Sequence, residues 1–219
     1  EEITKAMQII FAEKGYDVDD IEKIVEGVLK QSETFEKAEE RVGFRQIMLL
    51  WPQVSEKQAR EIAILKGQQH LSGEKALLTY VQEKFGLTPE VTQTAYNFLK
   101  DNKADSLKKA AKMAIYICAL DAEWKQKAFF KEKELDGDEI WTIACDAFNN
   151  GEDEGKALAQ FLRREKGITH PSNDPFISDL YVAWMVKMLL EGNMSMSDAY
   201  AKLIGEEQQF GPQILNVFF

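Results

Sequence analysis

The stretch 105–131 constrains the fold most, because its centre, Met113–Leu120, is apolar for eight consecutive residues. A surface helix shows apolar residues every three or four positions, whereas a helix that is apolar on every side is enclosed by other elements. The stretch is too long for a typical strand, and its alanines favour helix. We therefore predict a central buried helix over 105–131, with Ile115 and Ile117 both in the core.

The rest of the chain shows helical spacing and signals for helix starts. Ser55–Gln58 has the residues of a capping box, and Asp17 and the Thr88–Pro89 pair stand where helices would begin. The sequence predicts an all-α fold, a compact multi-helix bundle of about ten to twelve helices around the central apolar helix. We expect a single helical domain over 1–219, with 101–105 as the place where it would subdivide.

Three helix ends share one pattern, a lysine and then a glycine followed by an apolar residue, at Gly15, Gly86 and Gly167. Glycine takes the left-handed conformation that commonly ends a helix, and the apolar residue after it folds back onto the helix. The spacings are unequal, so helix-ending chemistry explains the pattern better than an internal repeat does. The inner face predicted for the helix after Ser55 consists of Ala59, Ile62, Ala63 and Leu65.

Motifs that carry catalysis or bind cofactors are absent from the sequence. The two histidines, His70 and His170, do not stand in Glu-x-x-His or His-Glu-x-x-His, and no Cys-x-x-Cys is present. No glycine-rich phosphate-binding motif is present either. We therefore name no catalytic residue, no metal site and no cofactor, and we lean towards a protein that is not an enzyme.

An acidic run around Gly137 is one candidate binding site. With Gly137 at the sixth position of an EF-hand loop, the twelfth position is Ile143, where a glutamate ligand is required. The match fails, and helix capping explains the acids at least as well. We keep Asp136, Asp138 and Glu139 as candidate binding residues beside that simpler interpretation.

The loop 168–174 is the second candidate site. It carries the imidazole of His170, the hydroxyl of Ser172 and the amide of Asn173, and functional residues concentrate on loops held by rigid elements. The simpler interpretation is an ordinary connection between two helices in which Asp174 caps the second one.

The net charge of −10 limits the classes of partner. Affinity for nucleic acid comes largely from Lys and Arg, so we expect no nucleic acid partner. No apolar run approaches the ~20 residues that cross a bilayer, so we expect no membrane insertion. We expect a cytoplasmic location, although the chain begins with Glu1 and not with methionine, which leaves a removed leader open.

The two cysteines, Cys118 and Cys145, are expected to remain reduced. If their helices form a hairpin, the offset between the two residues is ~10 Å along the helix axis, and a disulfide tolerates less than ~7 Å between Cα atoms. Both lie on apolar helix faces, where free cysteine behaves as a small hydrophobic residue.

These observations favour a non-enzymatic helical interaction or regulatory domain that binds another protein, with a basic protein as the natural partner of an acidic surface. The alternative is a small-molecule-binding helical domain or an enzyme, with its site near the loop 168–174. A packed interior with an exposed apolar groove favours the first, and a deep pocket where His170 meets a carboxylate favours the second. The apolar C-terminal segment 214–219 is either a partner anchor or part of the core. The sequence leaves the oligomeric state open.

Overall fold

The computed structural model describes the backbone of residues 2–169 and 175–210 and the side chains of residues 4–169 and 175–205. Within these residues the chain forms twelve helices and no strand, which confirms the predicted all-α fold. The helices are α1 (Glu2–Glu13), α2 (Val18–Lys30), α3 (Phe35–Leu50), α4 (Glu56–Gln69), α5 (Gly73–Phe85), α6 (Pro89–Lys100), α7 (Leu107–Trp124), α8 (Ala128–Lys131), α9 (Gly137–Asn150), α10 (Glu154–Lys166), α11 (Pro175–Leu190) and α12 (Met196–Phe210).

The predicted helix ends lie where the capping residues placed them. Ser55 and Gln58 form the capping box of α4, and the side chain of Asp17 accepts a hydrogen bond from the backbone N–H of Asp20 at the start of α2. Gly86 and Gly167 adopt positive φ at the ends of α5 and α10. These ends are set by neighbouring residues in the sequence, and this is why the sequence alone locates them.

The chain divides into two compact units, residues 1–114 and 115–219. In the first unit, consecutive helices from α1 to α6 pack against each other, and α3 also approaches α5. In the second unit, the neighbouring pairs from α9 to α12 pack in the same way. The boundary falls inside α7, about ten residues beyond the predicted subdivision at 101–105.

The expectation that the central helix is buried on every side is wrong. The stretch 105–131 forms α7 and the short α8, separated by a turn. Ile117 is completely buried, but Ile115 is 49 % exposed. The buried residues of α7 recur at helical spacing, which leaves Ile115 on the opposite face. An unbroken apolar run therefore does not require burial all round. The buried face consists of Leu107, Ala110, Ala111, Met113, Ala114, Ile117, Leu120 and Trp124.

The start of α12 is held by a side chain from a distant part of the second unit. The carboxylate of Glu134 accepts hydrogen bonds from the backbone N–H groups of Met196 and Ser197 and from the Ser197 hydroxyl. The first N–H groups of a helix have no partner within the helix, and a carboxylate there also complements the helix dipole. Glu134 therefore fixes the turn after α8 to α12.

Cys118 and Cys145 are not joined by a disulfide, as expected, and both are half-buried. Among the described residues, no helix is both long enough and apolar enough to span a membrane.

Candidate functional site

The first unit has a groove between α1, α3 and α4, which we call the α1–α3–α4 groove. Its volume is about 780 Å³, within the range of roughly 300–1,000 Å³ typical of ligand sites. Most of its wall is apolar, and its charged side chains lie at the floor and the mouth. The groove is lined by Ala6, Met7, Ile10, Phe11, Lys14, Phe35, Glu36, Glu39, Glu40, Ala63, Ile64, Gly67, Gln68 and His70.

The inner wall of the groove is part of the core of the first unit. Met7 and Phe11 of α1 are almost completely buried, and they belong to one apolar cluster with Ile24 of α2 and Val42 of α3. The ring of Phe11 stacks on that of Phe35, with their centroids 6.4 Å apart. This packing fixes α1 in position as one wall of the groove.

Two glycines allow α3 and α4 to approach each other closely. A Cβ atom on Gly43 would lie 3.2 Å from the Tyr16 hydroxyl and 3.5 Å from the Ala63 methyl group. A Cβ atom on Gly67 would lie 3.4 Å from the Glu39 carboxyl carbon. Small residues at these positions bring the two helices together and leave the groove beside α1 open.

Three large apolar side chains form the mouth of the groove and are open to solvent. Ile10 is 51 % exposed, Phe35 is 44 % exposed and Ile64 is 40 % exposed. Each comes from a different helix, so the apolar surface is continuous across α1, α3 and α4. Contiguous apolar surface of this kind is typical of a place where another molecule binds.

An ion pair closes the floor of the groove. The Lys14 ammonium lies 2.9 Å from the Glu39 carboxylate, and both side chains are largely buried. The Lys14 ammonium also lies 5.1 Å from the centre of the Phe11 ring, a cation–π contact. The pair neutralises both charges, so the floor offers no free charge to a ligand.

Behind this floor lies a second lysine, Lys66, which is completely buried. Its ammonium donates a hydrogen bond to the Lys14 carbonyl at 3.3 Å and lies 3.0 Å from the centre of the Tyr16 ring. Burial lowers the pKa of Lys66 to about 8, with Glu39 acting in the opposite direction. Burial and the nearby Glu39 carboxylate raise the pKa of the Tyr16 hydroxyl well above its usual value.

The mouth of the groove also carries two acidic side chains. Glu36 and Glu40 lie one turn apart on α3, and neither makes an ion pair with any described side chain. His70 caps the end of α4 in the left-handed conformation, with φ of 55°. The end of a helix carries partial negative charge, which adds to that of the two acids.

The groove is therefore suited to binding. Its charged floor is internally paired, and Lys66 lies behind the lining with no solvent-exposed surface. In the described part of the chain, the groove included, no group of three or more His, Cys, Asp or Glu side chains is placed to hold a metal ion.

The acidic residues predicted near Gly137 lie in the second unit, where two of them cap a helix. Asp136 accepts a hydrogen bond from the Glu139 backbone N–H, and the Glu139 carboxylate accepts one from the Asp136 backbone N–H. Glu139 also lies 2.6 Å from the Lys166 ammonium. Asp138 is exposed in the first turn of α9. A binding role for these three acids stays a prediction.

The other predicted site residues, His170, Ser172 and Asn173, lie outside the described residues, as does the apolar segment 214–219.

The α1–α3–α4 groove was not predicted from the sequence, although signals for its buried charges are present there. Lys66 stands three residues after Ala63 and four after Ile62, which is the spacing of the buried face of α4. Leu65 was predicted to lie on that face, but it is only partly buried. Glu39 likewise falls in the buried face of α3, next to Ala38. A charged residue at such a position indicates a buried charge that is held by polar or charged partners.

Comparisons of this chain with protein-family models, with curated proteins and with solved structures gave no match.

Proposed function

We propose that this protein is a non-enzymatic interaction domain that binds another protein, with the α1–α3–α4 groove as its docking surface. The observation that supports this most directly is the mouth of the groove, where Ile10, Phe35 and Ile64 are each 40–51 % exposed above an apolar interior. A small molecule covers little surface beyond its own pocket, whereas a macromolecule also covers the rim.

The free energy of docking would come from burying the rim. Fully burying an aliphatic or aromatic side chain contributes about 1.5–3 kcal/mol, so covering three half-exposed ones is worth roughly 3 kcal/mol before the cost of association. Such a contribution suits a reversible regulatory contact better than a permanent one.

The test uses two neighbouring isoleucines of α1. Ile10 lines the groove, and Ile9 does not, yet Ile9 is also exposed, at 61 %. Ile10→Asp places a charge on the groove wall, and Ile9→Asp makes the same change outside it. Affinity purification from the native host should capture the same protein with the wild-type chain and with Ile9→Asp, and lose it with Ile10→Asp. Equal capture by both variants would exclude the groove as the docking surface.

A second candidate function is the binding of an apolar small molecule, favoured by the groove volume of about 780 Å³. Native mass spectrometry of the purified protein distinguishes the two. A bound small molecule that is lost in Ile10→Asp but kept in Ile9→Asp would favour this second function.

A further inference from the structure

The shape and the charge of the α1–α3–α4 groove limit the kinds of molecule that can bind there. Resting on the function proposed above, we infer that the groove binds an amphipathic helix whose apolar face carries Lys or Arg along one flank.

The shape of the groove fits a helix. Its walls are themselves helices, of 12 residues in α1 and 14 residues in α4. The lining covers residues 6–14 and 63–70, roughly 10–12 Å at 1.5 Å per residue, which matches about two turns of a bound helix. Apolar anchors at every third or fourth position of such a helix would reach the wall residues Met7 and Ile10 on one side and Ala63 and Ile64 on the other.

Other modes of peptide recognition fit less well. An extended peptide adds to the edge of a sheet, and residues 2–169 and 175–210 contain no strand. A proline-rich peptide binds in grooves lined by several aromatic side chains, and the lining here includes only two, Phe11 and Phe35. A helix is the remaining common form of an apolar peptide ligand.

The charge of the mouth indicates a basic flank. Glu36 and Glu40 are spaced by four residues, so they would face two cations one turn apart on the bound helix. Glu36 lies in the first turn of α3, where an acid also complements the helix dipole, but Glu40 lies beyond that turn. Residues 1–70, which include all three helices of the groove, contain 14 acids and 10 bases, so the net charge around the mouth is negative.

The same charges disfavour two other occupants. In a symmetric dimer formed through this groove, the same acidic patch would be used by both copies, which would bring like charges together. An anionic lipid surface would be repelled by Glu36 and Glu40 for the same reason.

The experiment uses the full chain and three labelled synthetic peptides of about four helical turns. All three share one leucine-rich apolar face, and the flank carries Lys, Gln or Glu. Fluorescence anisotropy gives the dissociation constant of each peptide at low and at physiological ionic strength. The Lys peptide should bind most tightly and the Glu peptide most weakly, and the difference should shrink as salt is raised.

Charge removal at the mouth locates the effect. The double variant Glu36→Gln, Glu40→Gln should weaken the Lys peptide by about three- to tenfold at low salt and leave the Gln peptide unchanged. The matched control is Glu22→Gln with Glu83→Gln, which removes two exposed acids of the same unit that do not line the groove. This control should leave the dissociation constants of all three peptides unchanged.

The outcomes separate the inference from the proposed function. If all three peptides bind equally and Ile10→Asp abolishes binding, the basic flank is wrong and docking in the groove stands. The same conclusion follows if Glu22→Gln with Glu83→Gln weakens the Lys peptide as much as the change at the mouth. If no peptide binds, or if binding survives Ile10→Asp, both the inference and the groove as a helix-docking surface are overturned.

Discussion

Lys66 is a buried ammonium whose removal should stabilise the protein. The side chain has no solvent exposure, and its contacts are the Lys14 carbonyl and the face of the Tyr16 ring. Taking a charge out of water costs more than these contacts return, and this is why its pKa lies well below the ordinary value. Methionine has a similar length and no charge, so Lys66→Met keeps the volume and removes the penalty.

The magnitude follows from the pKa. The pKa of Lys66 is about 8 in the folded protein against an ordinary 10.5. At 1.36 kcal/mol per pH unit, the folded state at pH 7 disfavours the charged form by about 3 kcal/mol. The variant leaves the Lys14 carbonyl without its hydrogen bond and loses the contact with Tyr16, which together cost about 1–2 kcal/mol. We expect Lys66→Met to raise the free energy of unfolding by roughly 1–2 kcal/mol at neutral pH.

The pH dependence provides an independent check. The folded protein releases the Lys66 proton near pH 8, and the unfolded chain keeps it until about pH 10.5, so the unfolded state binds more protons between these values. The penalty is therefore complete below pH 8 and decreases as the pH rises. Between pH 7 and about pH 9.5, the free energy of unfolding of the wild-type protein should rise by about 2 kcal/mol relative to that of Lys66→Met.

Urea denaturation followed by circular dichroism, at both pH values, measures these differences. The control is Lys108→Met, the same change at an exposed position of α7, which should alter the free energy of unfolding by less than about 0.5 kcal/mol. The reasoning would be refuted if Lys66→Met were less stable than wild type at pH 7 and if the difference in the free energy of unfolding did not change with pH. The buried charge would then be a net stabilising element.

Two further predictions concern the second unit. Glu134→Ala should lower the free energy of unfolding by about 2 kcal/mol, since the first N–H groups of α12 lose their carboxylate acceptor. The control Glu132→Ala, which removes an exposed acid nearby, should have little effect. Equal denaturation midpoints for Glu134→Ala and the wild type would contradict the role of Glu134. Ile117→Asp should abolish cooperative unfolding because it buries an unpaired charge. Ile115→Asp should fold, with a free energy of unfolding lower by about 1 kcal/mol. A cooperatively folded Ile117→Asp would show that this position is not in the core.

The helix starts and ends that depend on neighbouring residues were predicted from the sequence. The cap of α2 at Asp17, the capping box of α4 and the glycine ends of α5 and α10 each involve residues within a few positions of one another. Helix class and helix number follow from the same local signals. The exposed face of α7 did not follow, because an apolar run shows no contrast between its buried and open sides.

The candidate site depends on long-range contacts, and this is why the sequence did not reveal it. Lys14 and Glu39 are 25 residues apart, and Lys66 reaches a carbonyl 52 residues away. The closeness of α3 and α4 depends on Gly43 and Gly67, which the sequence alone does not pair. Only the charged residues at interior helical positions, Lys66 and Glu39, could have been recognised in advance.

The most direct test of docking in the α1–α3–α4 groove is a methyl-group NMR titration of the full chain with the Lys peptide. The groove lining supplies methyl probes on two of its walls, α1 and α4, namely those of Ala6, Met7, Ile10, Ala63 and Ile64. Leu29 and Leu49, which are exposed and lie outside the groove, are matched controls.

Docking in the groove predicts saturable shifts of the groove methyl groups with one common dissociation constant, and unchanged signals from Leu29 and Leu49. Shifts confined to methyl groups outside the groove, or no saturable shift of the groove methyl groups, would contradict the account.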